Sequence, residues 1–309
     1  MIKNHVSVFI VSYNHKNFID CCIKSVIAQL SASYDLTVID NCSVDGTVDE
    51  LKRLNKIYKF SLIMNDQNYG LPSTLNKALS LASGEYICFL AADDYMMFDR
   101  LTTQISFLNQ NQQYYACAGT QLKVDDSNVL CDLSKQKNII SSFTVIDKNN
   151  IFKSTNIIYS PTSIYRTEVL KKIGGYKEDI LIEDLYIYYK AASLGYKMAL
   201  LPNLFCFYRI HKGNSHTKLK WMFENKLKIL AEFSEQSFYR DLSDLIHLEG
   251  FYSLSQQHKK DAIKILPGFY IGSIVNTCTL VYLICFLNGD SIYGDYIIYF
   301  IVAFFNIGL

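Results

Sequence analysis

The chain has 309 residues, enough for two folded units with their own cores. Its 30 Lys and Arg against 29 Asp and Glu leave a formal charge of +1, which argues against a dedicated nucleic-acid binder with its strong basic excess. The nine cysteines are odd in number, scattered and without a CxxC pair; this speaks against a disulfide framework or a zinc ribbon and for a reduced, cytosolic compartment.

The N-terminal hundred residues alternate two periods. "HVSVFIVSY" is a β-branched apolar run, too short and too quickly followed by polar residues to be a signal peptide. "FIDCCIKSVIAQL" then sets Phe18, Cys22, Val26, Ile27 and Leu30 at helical spacing. "DLTVIDN" predicts a second strand, and "SVDGTVDELKRLNKI" a helix starting at Ser43 or Asp45. "FSLIMND" reads as a third strand, "LPSTLNKALSLAS" as a helix ended by Gly84, and "EYICFLA" as a fourth strand. Strands separated by helices imply βαβ units and a mostly parallel sheet, with ligands at the carboxyl ends of the strands. Four polar clusters fall at those ends: Ser12-Tyr13-Asn14, Asp40-Asn41, Asn65-Asp66 with Asn68, and Asp93-Asp94.

Neither a GxGxxG fingerprint nor a GxxxxGK[ST] loop follows the first strand, which reads "SYNHKNF". A dinucleotide dehydrogenase and a P-loop enzyme are therefore excluded. Residues 120–215 are less regular. From Leu219 to Leu266 the pattern is helical, with Trp221, Leu227, Leu230 and Phe233 on one face. Residues 265–289 carry no charge and are long enough to cross a bilayer, and a second apolar run ends the chain. We expect this segment to associate with a membrane rather than to form a buried helix pair. His258, Lys259, Lys260 and Lys264 just ahead of it fit a cytoplasmic catalytic side.

Five stretches, in order and spacing over residues 5–215, carry a resemblance: "VSVFIVSYNHKNFIDCCIKSVIAQ", "VIDNCSVDGT", "NYGLPSTLNKALSLASGEYICFLAADD", "GGY…EDLYIYYKAASLGY" and "YRIHKGNS". Together they resemble the family-2 glycosyltransferases of the GT-A fold. That resemblance implies an α/β domain whose mostly parallel, Rossmann-like sheet is flanked by helices, with a helical and apolar C-terminal extension. It further implies transfer of a sugar, with inversion, from a nucleotide-diphosphate donor (UDP favoured) to a hydroxyl. The expected division is a nucleotide-sugar half (1–120), an acceptor and catalytic half (121–217), a helical extension (218–264) and the apolar segment (265–309).

Carried over residue by residue, the resemblance places Val11, Ser12, Tyr13, Asn14, Asp40, Asn68, Gly70, Ala92 and Arg209 at the nucleotide. The Asp40 carboxylate suits the imide N–H of a uracil or thymine ring, although Asp40-Asn41 and Ser43 equally suit turns and caps. A diphosphate leaving group calls for a hard divalent cation, Mn²⁺ or Mg²⁺, held by one or two carboxylates. The family's Asp-x-Asp aligns with Ala91, Ala92 and Asp93, so its first acid is missing here. Asp93 inherits the metal role with His211 as a second ligand, Arg209 and Lys212 are phosphate partners, and Asp94 is a supporting residue. Asp94 also fits the N-cap of a helix through "MMFDRLTTQISFL". Asp184 aligns with the general base, beside Glu183, which positions the acceptor or raises that base's pKa by like charge. A polyprenyl-diphosphate-linked glycan in bacterial surface-polysaccharide assembly is the acceptor this picture suggests, at the cytoplasmic face of the inner membrane. The competing expectation is a non-catalytic, membrane-anchored sugar-nucleotide-binding subunit with a degenerate metal motif.

Overall fold

A computed structural model of the chain describes residues 1–136, 139–153, 158–214 and 218–255. Ser215, His216 and the whole apolar segment 265–309 lie outside the described residues. Among those described, no helix is long and apolar enough to cross a membrane.

The first compact unit comprises Met1–Lys148 and Ile158–Asn214. It opens with β1 (Ile2–Ser12), α1 (Ile19–Ile27), β2 (Ser33–Asp40), α2 (Thr47–Tyr58), β3 (Ser61–Met64), α3 (Leu71–Leu81) and β4 (Gly84–Ala91). The four strands are parallel, in the order β3-β2-β1-β4. β1 buries Val6, Val8 and Ile10 on one face and Ser7 and Phe9 on the other, as a strand covered on both sides by helices must. The chain runs outward from β1 through β2 to β3, then returns to the opposite side of β1 as β4. That reversal opens a crevice at the carboxyl ends of β1 and β4, where Ser12 and Ala91 stand.

Beyond β4 come β5 (Tyr95–Met96), α4 (Arg100–Gln110), β6 (Tyr114–Val124), β7 (Thr144–Ile146), β8 (Ile164–Arg166), α5 (Thr167–Lys172), α6 (Glu183–Ser193) and β9 (Lys197–Arg209). They extend the sheet as β8-β6-β9-β5, with β7 beside β9. β8 is antiparallel to both β4 and β6, whereas β6 and β9 are parallel. The sheet is thus mostly parallel, with short antiparallel insertions. The boundary expected after residue 120 falls inside β6, so the two expected halves form one unit.

Three local expectations are corrected. α1 ends at Ile27 and buries Ile19, Cys22, Ile23 and Val26; Leu30, past its end, is 55% exposed. Gly84 does not terminate a helix but begins β4, where a Cβ would stand 2.6 Å from the His5 carbonyl oxygen. Asp94 caps no helix, because α4 starts at Arg100 with Asp99 at its N-cap.

The second unit takes residues 149–157 and the chain from 215 onward. Its described helices are α7 (Leu219–Ala231) and α8 (Tyr239–Ser255). Gly250 on α8 admits the Phe223 ring, which a Cβ would meet at 2.2 Å, and Lys226 pairs with Glu249 at 2.7 Å. Leu230 and Phe233 are buried as expected; Trp221 and Leu227 stay partly exposed, because the inward face of α7 runs through Phe223 and Ile229 instead.

Candidate active site

The carboxyl ends of β1, β2 and β3 form one hydrogen-bonded network. Asn41 N–H donates to the Ser12 carbonyl at 2.8 Å, and Asn65 N–H to the Asp40 carbonyl at 2.9 Å. Both Asp40 carboxylate oxygens accept from Ser43, one from its backbone N–H (2.8 Å) and one from its hydroxyl (2.6 Å). Asn14, held at φ 59°, donates its N–H to the same Ser43 hydroxyl and accepts the Val44 N–H on its side chain. The Asn68 side-chain oxygen accepts from Asn41 (2.7 Å) and from Gly70 N–H (2.9 Å), fixing the turn into α3. Val11 pairs with Ala91 in the sheet, and Ala92 N–H donates to the Val11 carbonyl. Tyr13 is 43% exposed beside this network. The nucleotide residues expected on these strand ends are therefore adjacent. Asp40 is held by Ser43 three residues on, the turn arrangement that the sequence offered beside the nucleotide role.

The end of β4 differs. Asp93 and Asp94 are buried, yet Asp93 Oδ1 and Asp94 Oδ2 have no hydrogen-bond partner among the described residues. Ser12 Oγ and His15 Nδ1 are likewise buried and unpartnered. Each such atom costs about 1–3 kcal/mol unless something satisfies it. Four at one crevice make a cost that a bound ligand would remove. Asp93 Oδ2 meets His211 Nε2 at 2.9 Å and His15 Nε2 at 4.0 Å. Donor atoms of His15, Asp93 and His211 all lie within 4.8 Å of one another. Burial pushes the Asp93 carboxyl up, but the hydrogen bond to His211 and the charge of His15 outweigh it and hold the group below the usual range. The same hydrogen bond raises the His211 pKa, while burial lowers that of His15. Burial and then the Asp93 charge hold the Asp94 carboxyl well above its ordinary value. A carboxylate with an orphaned oxygen beside imidazoles fits a divalent cation. His15, which the sequence reading passed over within "SYNHKNF", belongs to this group.

Arg209 is placed differently from the expectation. Its side chain is 1% exposed and donates to the carbonyls of Asp93 (2.8 Å), Asp125 (2.9 Å) and Asp126 (3.4 Å) and to the Asn128 side chain (2.6 Å). The guanidinium also lies 4.7 Å over the Phe18 ring, and its backbone N–H donates to Asp94 at 2.9 Å. With its donors engaged inside the protein, Arg209 does not face a diphosphate. It ties the end of β9 to the end of β4 and so carries His211 to Asp93.

Glu183 and Asp184 open α6 and are mostly enclosed. Asp184 Oδ1 accepts the Leu185 N–H at 2.7 Å. Burial, then the Asp184 charge, raises Glu183 to about 8, and burial also raises Asp184 against hydrogen bonds that favour its ionised form. Two carboxyls with such unequal environments separate into a proton holder and a base. Ahead of them, Gly174 (φ 89°) and Gly175 (φ 65°) bring Tyr176 onto α3, where the Asn76 side chain accepts from Tyr176 N–H and donates to its carbonyl, both at 2.8 Å. Tyr208, next to Arg209, joins the two acid pairs: after burial, the charges of Asp94, Asp93 and Asp184 push its phenol up.

The candidate cation cluster thus lies at the switch point of an α/β sheet, where such sheets bind ligands. Residues 7–174, more than half of the chain, match the family model described as glycosyl transferase family 2, and the chain belongs to this family of enzymes. WfaP of Escherichia coli, named a UDP-Glc:alpha-D-GlcNAc-diphosphoundecaprenol beta-1,3-glucosyltransferase, is 27% identical over 211 residues, covering 68% of this chain and 78% of that one. TuaG of Bacillus subtilis, named for teichuronic acid biosynthesis, is 33% identical over 129 residues, covering 41% of this chain; the match spans about half of TuaG, 51%. Among solved structures, residues 1–349 of S. aureus TarS with UDP-GlcNAc superpose with a TM-score of 0.65 at 20% identity, covering 84% of this chain and 78% of that one. The mannosyltransferase PcManGT of Pyrobaculum calidifontis, with GDP-Man and Mn²⁺, gives 0.64 at 18% identity, covering 96% and 85%. These structures share the GT-A fold.

Proposed function

We propose that the chain transfers a sugar, with inversion, from a nucleotide-diphosphate donor to a hydroxyl of a lipid-linked glycan during bacterial surface-polysaccharide synthesis. The observation that carries this is the cluster of His15, Asp93 and His211, with unpartnered buried donor atoms among the described residues, at the switch point of a glycosyltransferase-family sheet. Asp184 takes the acceptor hydroxyl proton, the freed oxygen bonds to the anomeric carbon from the face opposite the leaving group, and the bond to the diphosphate breaks. Glu183, protonated at neutral pH, limits the negative charge beside that base. Asp93 and His211 would hold a divalent cation, Mn²⁺ or Mg²⁺, whose charge stabilises the departing diphosphate. The Asp40–Ser43–Asn14 network presents an ordered wall for the base and ribose.

UDP is favoured as the nucleotide, since WfaP is named for a UDP-Glc donor, and a diphosphoundecaprenol-linked acceptor comes from the same name. Such an acceptor would place the enzyme at the cytoplasmic face of the membrane, with residues 265–309 as its associating segment. Ala91, exposed at the end of β4 where relatives carry an acid, supports a second reading as a donor-binding subunit without turnover. Donor consumption with Mn²⁺ and extracted lipid-linked acceptors, in wild type and Asp184→Asn, separates the two. Transfer by wild type and its loss in the variant are expected. A wild type that binds UDP and never turns over supports the second reading.

A further inference from the structure

His15 lies at the carboxyl end of β1, where its backbone N–H donates to Thr47 Oγ1 at 3.0 Å. Its ring is enclosed by Phe18 and His211, with centroids at 6.4 and 6.3 Å. Neither ring nitrogen is satisfied among the described residues. Nδ1 is buried without a partner, and Nε2 stands 4.0 Å from Asp93 Oδ2, too far for a hydrogen bond. Packing alone does not explain this, because a histidine that merely fills space would be better replaced by an apolar ring than left with orphaned polar atoms.

The separations suit an ion. Two atoms bound at about 2.1 Å to one cation lie at most roughly 4.2 Å apart. Asp93 Oδ2 is 2.9 Å from His211 Nε2 and 4.0 Å from His15 Nε2, inside that limit. The whole set lies within 4.8 Å. Gly213 N–H donates to His211 Nδ1 at 3.1 Å, so Nε2 carries the proton that meets Asp93 at 2.9 Å; a cation at this spot would take the place of that proton, with the ring changing tautomer.

We propose that His15 is a third protein ligand, and that it makes the cation site a two-histidine, one-carboxylate site in a chain whose β4 lacks the first acid at Ala91. The assignment rests on the site holding a cation for a diphosphate donor. Its consequence is selectivity. A set with two imidazoles suits Mn²⁺, Co²⁺ or Zn²⁺ better than Mg²⁺, which favours oxygen ligands and water.

The test is direct binding, read without turnover. Mn²⁺ is titrated into the full chain with and without UDP, and pulsed electron paramagnetic resonance counts the ¹⁴N nuclei coupled to the bound ion. Two histidine nitrogens are expected in wild type and one in His15→Gln, with Mn²⁺ affinity at least about ten-fold weaker in the variant and Mg²⁺ unable to compete at equal concentration. The nitrogen count in wild type needs no variant, so it remains decisive if His15→Gln folds poorly. One nitrogen in wild type, or unchanged Mn²⁺ affinity in a folded His15→Gln while Asp93→Ala abolishes it, overturns the role of His15 and leaves the cation site standing. No Mn²⁺ binding by a wild type that still binds UDP overturns both.

Discussion

The carboxyl end of β2 carries one buried aspartate and that of β4 two, and they are built in opposite ways. At β2 both oxygens of Asp40 are occupied by Ser43, and the neighbouring asparagines close a complete network. At β4 Asp93 and Asp94 each leave one oxygen with no partner among the described residues, and Ser12 and His15 add two more such atoms. A satisfied network holds a shape and carries no standing cost of unpaired atoms. An unsatisfied cluster stores a cost of several kcal/mol that only a ligand or a proton relieves. On the proposed function, the first region is a wall for the nucleotide and the second holds the diphosphate charge.

The largest effect is expected at the proposed base. Asp184→Asn should lower sugar transfer about 10³-fold while UDP affinity measured by calorimetry stays within roughly three-fold. A comparable loss of UDP affinity would move Asp184 to the nucleotide side. Next comes Arg209→Lys. Because the guanidinium is buried and its donors are engaged, chemical denaturation should show a loss of about 3 kcal/mol, for a lysine has neither the fork nor the donors. Unchanged stability with a raised donor KM would restore the phosphate role expected from the sequence.

A smaller effect is read from pH. Glu183 keeps its proton in the folded state up to about 8, whereas the unfolded chain releases it near the ordinary 4.5. The folded state therefore binds more protons across that window, and stability falls as pH rises through it. Glu183→Gln removes this fall, so its melting temperature relative to wild type should climb from roughly pH 5 to roughly pH 9; a flat difference contradicts the raised carboxyl. The smallest change is at the wall. Ser43→Ala should cost about 1 kcal/mol by denaturation and weaken UDP less than about five-fold, since Asp40 keeps the Ser43 N–H.

Much of the first sheet half was legible because its strands obey local rules. β1, β2 and β4 are continuous apolar runs, and their polar ends mark the crevice. Asp93 and His211, read from motifs far apart in sequence, touch at 2.9 Å. What was not legible depends on contacts that no local pattern encodes. Arg209 reads as a free loop cation until the 125–128 loop and Phe18 enclose it. His15 is a lone histidine with no spacing that links it to His211. Gly84 looks like a helix stop, and only the approach of the His5 backbone gives its real reason. β8 has three residues, too few for any period to announce an antiparallel strand inside a parallel sheet.

One measurement bears most directly on the contrast between the two strand ends: calorimetric titration of UDP with and without Mn²⁺ into wild type and Asp93→Asn. If the unpaired atoms at β4 form a cation and diphosphate site, Mn²⁺ should tighten UDP binding at least about ten-fold in wild type and leave Asp93→Asn unchanged. UDP binding that is indifferent to Mn²⁺, or equally enhanced in both proteins, would contradict it.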